Sequence, residues 1–165
     1  MIALTRRYRF SASHRLHVPA MSEAQNRTFF GKCNNPFGHG HDYVLSVTVA
    51  GKVDGLSGLL ICTRELDRMV EEQVLRLFRH RNLNLDVAHF ADIVPTTENL
   101  ALAIGTLLEN AWPAWFGNTS GAYRSTYLAK IHIAETDRNG FELRIAGRSN
   151  RPVPVKGRES VTVNG

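Results

Sequence analysis

Residues 39–50, His39-Gly40-His41-Asp42-Tyr43-Val44-Leu45-Ser46-Val47-Thr48-Val49-Ala50, carry a strand pattern and a ligand pattern in one frame. Tyr43, Leu45, Val47 and Val49 fall on one parity with Ser46 and Thr48 opposite, the alternation of a strand with one buried face. His39 and His41 share the parity of Tyr43. If the strand runs back through them, both imidazoles stand at the end of its inward face and can converge on one cation.

Upstream, residues 4–14 alternate less regularly, with Leu4, Tyr8, Phe10, Ala12 and His14 on one parity. Pairing of the two strands would deliver His14 as a third nitrogen. Three protein ligands leave a coordination position for water or substrate, whereas structural zinc sites are usually closed by four. An isolated His-x-His is more often a loop pair bonded to backbone; three matching parities and a nearby thiol reverse that preference. The thiol is Cys33, separated from His39 by Asn34-Asn35-Pro36-Phe37-Gly38, a segment suited to bending back toward the metal. A cation and Lys32 nearby would lower its pKa and make it a general base. Cys62 reads as a small buried hydrophobe.

Downstream, Leu66, Met69, Val70, Val74, Leu77 and Phe78 recur at helical spacing and predict an amphipathic helix ending near Arg79. Pro95 and Thr96 predict the start of a second helix through Leu100, Ile104, Leu107, Leu108 and Ala111, broken by Trp112 and Pro113. A loop with Gly117, Asn118 and Gly121 leads to a third strand at 127–135, and a turn at 137–140 to a fourth at 141–146. The order predicts an α+β fold: a four-stranded antiparallel sheet with two helices on one face. Residues 1–147 form one domain, and the tail, 148–165, without periodicity and with Pro152, Pro154 and Gly157, is expected to be mobile.

The 165 residues carry a formal net charge of +5, which favours anionic partners without choosing among them. No basic block with interleaved aromatics points to nucleic acid, no run approaches the ~20 apolar residues that span a bilayer, and no secretory leader is evident. The expectation is a cytoplasmic protein without membrane or nucleic-acid partners. Two cysteines make no disulfide framework.

Phe10-Ser-Ala-Ser-His-Arg-Leu16 and Phe30-Gly-Lys-Cys-Asn-Asn-Pro-Phe-Gly-His-Gly-His41 resemble the 6-pyruvoyl-tetrahydropterin synthase family. His80-Arg-Asn-Leu-Asn84, Thr96-Thr-Glu-Asn-Leu100 and Glu135-Thr136 extend the resemblance over residues 8–143. It implies conversion of 7,8-dihydroneopterin triphosphate to 6-pyruvoyl-tetrahydropterin with loss of triphosphate, and a zinc ion that acidifies substrate C–H bonds. It also implies proton transfer by Cys33 and His80, and a pterin anchored by Glu135 with contacts from Thr96 and Glu98. Finally it implies a tunnelling-fold assembly in which sheets join into a barrel on trimerisation and two trimers form a homohexamer.

The residues add their own reading. Glu135 shares parity with Ile131 and Ile133, so its carboxylate faces inward, where a ligand's N–H groups would compensate it. Thr96 and Glu98 are equally explained by helix capping and the helix dipole. Arg79 departs from the family, which has an aspartate before the matched histidine; Asp86 and Asp92 are the candidates to replace it. Arg79, Arg7, Arg9, Arg15 and Lys130 are candidates for phosphate. Two alternatives stand beside the synthase reading: the 6-carboxy-tetrahydropterin synthase of queuosine biosynthesis, and a zinc-containing pterin- or purine-binding protein without turnover.

Overall fold

A computed structural model describes residues 1–117 and 125–145. Strand β1 (Ile2–His14) pairs antiparallel with β2 (His39–Gly51) along its whole length, with Phe10 opposite Tyr43, Ala12 opposite His41 and His14 opposite His39. Strand β3 (Arg81–Asn82) lies parallel to β1 on the other side. Strands β4 (Tyr127–Ala134) and β5 (Gly140–Arg144) continue the sheet antiparallel beyond β2, so the order is β3-β1-β2-β4-β5.

The sheet is therefore five-stranded and mixed, not the four-stranded antiparallel sheet expected. The difference is β3, whose two residues are too short to carry any alternation. The inward parity matches the expected one. Leu45, Val47, Val49, Ile131 and Ile133 are completely buried, each contributing roughly 1.5–3 kcal/mol relative to exposure. The opposite face presents Thr5, Arg7, Arg9, Glu142 and Arg144 as exposed side chains.

Helix α1 (Glu23–Phe30), which the apolar pattern did not reveal, is polar and closed by a capping box between Ser22 and Gln25. Its buried Asn26 accepts from Val18 N at 2.7 Å and donates to the Val18 and Met21 carbonyls, tying the helix to the chain leaving β1.

Helix α2 (Thr63–Val70) continues through a wide π turn, Glu71–Leu75, into α3 (Arg76–Phe78). The extra residue of a π turn shifts the helical phase. Leu75 is buried in consequence, and Leu77, expected inside, is 46% exposed. Short α4 (Leu83–Asp86) follows β3.

Helix α5 (Thr97–Phe116) runs past Trp112 and Pro113 instead of breaking there. Pro113 forfeits one hydrogen bond, but Trp112 and Phe116 are buried with ring centroids 4.6 Å apart, and this packing holds the last turn. At Gly105 a Cβ would lie 2.5 Å from Leu143 Cδ2, so α5 rides directly on β5. Among the described residues no helix is long and apolar enough to cross a membrane. Asn118, Gly121, Ala146 and the tail, 148–165, lie outside the described residues.

Candidate metal centre

Three imidazoles meet because the β1–β2 register places them together. His14 and His39 are cross-strand partners, and His41 stands two residues further along the same face. Their ligand nitrogens lie within 4.8 Å of one another, with His14 Nε2 3.2 Å from His39 Nε2. His14 is fully buried.

His14 Nδ1 donates to the Pro95 carbonyl at 2.8 Å. A carbonyl only accepts, so the proton sits on Nδ1 and Nε2 turns its lone pair toward the other rings, the second-sphere arrangement typical of metal-bound histidine. Burial, reinforced by the neighbouring imidazoles, lowers the pKa of His14 and His39. Neutral imidazole is the metal-binding form. His41 Nε2 is buried without a hydrogen-bond partner, a state that costs about 1–3 kcal/mol unless compensated. Three converging nitrogens, one of them orphaned, fit a metal ion, and imidazole donors suit zinc, copper, iron and nickel.

Glu135 stands just past β4 with its side chain 12% exposed. Its Oε1 accepts from Thr97 Oγ1 at 2.7 Å and lies 3.5 Å from His41 Nε2 and 3.7 Å from His14 Nε2. Thr97, buried in the first turn of α5, was not singled out from the sequence. The available signal was the doubled threonine: Thr96 is the N-cap and accepts from Asn99 N at 3.2 Å, which leaves the second hydroxyl for another role. Glu98 is exposed.

Cys33 lies in a 3-10 turn, Gly31–Asn34, held to the chain after β1 by a 2.8 Å bond from Leu16 N to its carbonyl. Burial and the Glu135 carboxylate push its thiol pKa up. Lys32, whose side chain is exposed, is not among the causes of that shift.

His80 adopts φ 60° and donates its N–H to the Ser11 carbonyl at 2.7 Å. It lines a groove of about 560 Å³ with Ser11, Ser13, His41, Asp42 and Asp86. Cys33 is not among the residues that line that groove. Asp86 is at hand, accepting from Asn82 N at 2.8 Å, while Asp92 lines no part of the groove. Arg79 forks Glu71 through two 3.0 Å bonds.

Comparison with known proteins agrees with this geometry. A family model described as 6-pyruvoyl tetrahydropterin synthase matches residues 3–146. The 6-pyruvoyl tetrahydrobiopterin synthase of Drosophila melanogaster is 48% identical over 154 residues, 93% of this chain and 82% of the relative. That of Poecilia reticulata is 43% identical over 136 residues, 82% of this chain and 85% of the relative. The solved structure of the Caenorhabditis elegans 6-pyruvoyl tetrahydropterin synthase superposes with a TM-score of 0.75 at 36% identity, covering 88% of this chain and 96% of the other.

Proposed function

This chain belongs to the 6-pyruvoyl tetrahydropterin synthase family, and from that premise we propose that it is a lyase converting 7,8-dihydroneopterin triphosphate to 6-pyruvoyl-tetrahydropterin with elimination of triphosphate. The observation that carries the reading is the convergence of His14, His39 and His41 beside the buried carboxylate of Glu135. The three histidines would hold zinc, which when bound supplies Lewis acidity toward the substrate's side-chain oxygens.

The protein's own groups supply binding and proton transfer. Glu135, oriented by Thr97, accepts hydrogen bonds from the amino and ring N–H groups of the pterin, which compensates its burial. Thr96, the N-cap of α5, and Glu98 in its first turn are assigned further contacts to the pterin. Cys33 takes a proton from the substrate side chain, and His80 serves as the second proton carrier. Cys33 does not line the groove that His80 borders, which suits a relay assembled between copies of a cytoplasmic homohexamer built from two trimers whose sheets close a barrel. Asp86, in the His80 groove, stands in for the aspartate replaced by Arg79.

Zinc-loaded protein incubated with dihydroneopterin triphosphate tests the reading: triphosphate and the 6-pyruvoyl product are expected. Acetaldehyde with a carboxylated pterin would instead establish the 6-carboxy reaction, and tight pterin binding without either product a binding protein.

A further inference from the structure

Cys33 sits in an irregular stretch. Between the end of α1 at Phe30 and the start of β2 at His39, the chain makes the 3-10 turn Gly31–Asn34 and then runs through Asn35, Pro36 and Phe37, all exposed. Among residues 31–38 only Asn34 is buried, at 7% exposure. The side chain that anchors this loop is therefore an amide and not a hydrocarbon, and its place is set by hydrogen-bond partners, which a buried polar group must find.

Those partners lie in the segment that follows His14. Asn34 Nδ2 donates to the Leu16 carbonyl at 2.8 Å and faces His17 Nδ1 at 3.0 Å, and the Asn34 carbonyl accepts from Arg15 Nε at 3.3 Å. Leu16 N in turn donates to the Cys33 carbonyl at 2.8 Å. Both polar groups of the Leu16 backbone are thus taken up by two consecutive residues of the turn, Cys33 through its backbone and Asn34 through its side chain. The support is itself fixed from the other side: Asn84 Oδ1 accepts from Arg15 N at 2.7 Å, and Asn84 Nδ2 donates to the Arg15 carbonyl at 3.0 Å. The turn held in this way brings the Cys33 thiol near enough to Glu135 to be acted on by its carboxylate, which lies 3.5 Å from His41 Nε2.

We propose that Asn34 is the positioning residue for Cys33: by clamping the turn to Leu16 it holds the thiol in place beside the histidine cluster. The thiol's part in the reaction rests on the synthase reading given above, whereas the clamp does not. Asn34 touches no reacting atom and acts through its neighbour alone.

Asn34→Asp keeps the shape of the side chain and sets an acceptor where the Leu16 carbonyl needs a donor. Turnover per bound zinc is expected to fall about tenfold to hundredfold, the effect of a small misplacement of a reacting group, with KM within about threefold of native. Bound zinc is expected to stay at the native level, because the β1–β2 ladder holds the histidines. In a Cys33→Ala background the same substitution should cost nothing further, since a residue acting only through the thiol has nothing left to act on. Iodoacetamide labelling, read at each cysteine by mass spectrometry, needs no turnover: Cys33 should react at least about threefold faster in Asn34→Asp, and Cys62 at its native rate. Amide exchange of the native protein needs no variant: the Leu16 N–H, outside any helix or strand, should be protected at least about hundredfold. Losses that multiply in the double variant, Cys33 labelling that is unchanged or rises together with that of Cys62, or an unprotected Leu16 amide overturns the inference. If native zinc-loaded protein turns over no dihydroneopterin triphosphate, the synthase reading falls, and labelling and exchange still decide the clamp. Native turnover with an unchanged kcat in Asn34→Asp removes this inference and leaves the synthase reading.

Discussion

His14 Nδ1 and the carbonyl oxygen of Pro95, 2.8 Å apart, join the end of β1 to the residue two before α5. The bond sets the tautomer of the most buried imidazole in the cluster and ties two distant parts of the chain to the same point.

Replacing that imidazole removes one of the three proposed ligands and takes the donor from the Pro95 carbonyl. His14→Ala is expected to retain less than about a tenth of the native bound metal after dialysis, with turnover lost in proportion, because a first-sphere ligand counts for more than the 10–100-fold of an outer-sphere partner. Metal analysis of the dialysed protein checks this; native stoichiometry in the variant would remove His14 from the site.

Acid should destabilise the metal-free protein. His14 and His39 have folded-state pKa values below the usual 6.5, so as pH falls through 6.5 the unfolded chain binds protons that the folded chain refuses. Stability contributed by the neutral rings is present above 6.5, declines below it, and levels off once the folded rings also protonate. Urea midpoints of chelator-treated protein between pH 7.5 and 5 should show the decline; a flat profile would contradict it.

Two glycines separate backbone strain from contact. Gly38 has φ +69° and a Cβ there would lie 2.9 Å from the His14 carbonyl oxygen, whereas Gly58 has φ +70° with open space around it. Gly58→Ala should cost about 1–2 kcal/mol, the left-handed penalty alone. Gly38→Ala should cost about 1–3 kcal/mol more, the range for local strain, and weaken metal binding by displacing the His14 backbone. Denaturation and metal titration of both variants distinguish the two effects.

Cys33→Ala is expected to lower turnover by about 10²–10⁴, the usual worth of a positioned acid or base, while bound metal stays at the native level. In the metal-free protein the raised thiol pKa should make alkylation of Cys33 at pH 7.4 slower than that of an unburied thiol. Full activity in Cys33→Ala would end its assignment as a proton carrier.

Arg79 spends its guanidinium on Glu71, and both side chains are over a third exposed. Such a pair contributes about 0–1 kcal/mol, so Arg79→Ala should shift the urea midpoint slightly and leave KM for the triphosphate substrate within about twofold. A tenfold rise in KM would assign Arg79 to the phosphates instead.

The readable parts of this chain were those with a period. Parity alone located the inward faces of β1 and β2 and thereby the meeting of His14, His39 and His41, since alternation in a paired strand leaves side chains little choice. Features set by single contacts were silent. α1 depends on the buried amide of Asn26, β3 on two residues after His80, and the survival of α5 past Pro113 on two aromatic rings packed against each other. Thr97 was hidden beside Thr96 because a propensity for capping does not say which of two adjacent hydroxyls performs it. The upward shift of the Cys33 thiol required knowing that the fold half-buries it and brings Glu135, 102 positions later, near enough to act on it.

The pairing of His14 with His39 across the ladder makes metal acquisition a test of how the strands were zipped. A slip of one residue would send one strand's imidazoles to the opposite side of the sheet, and the cage could not close. Chains able to load a metal would therefore be those already in correct alignment, so an ion bound there would act as an inspector of folding.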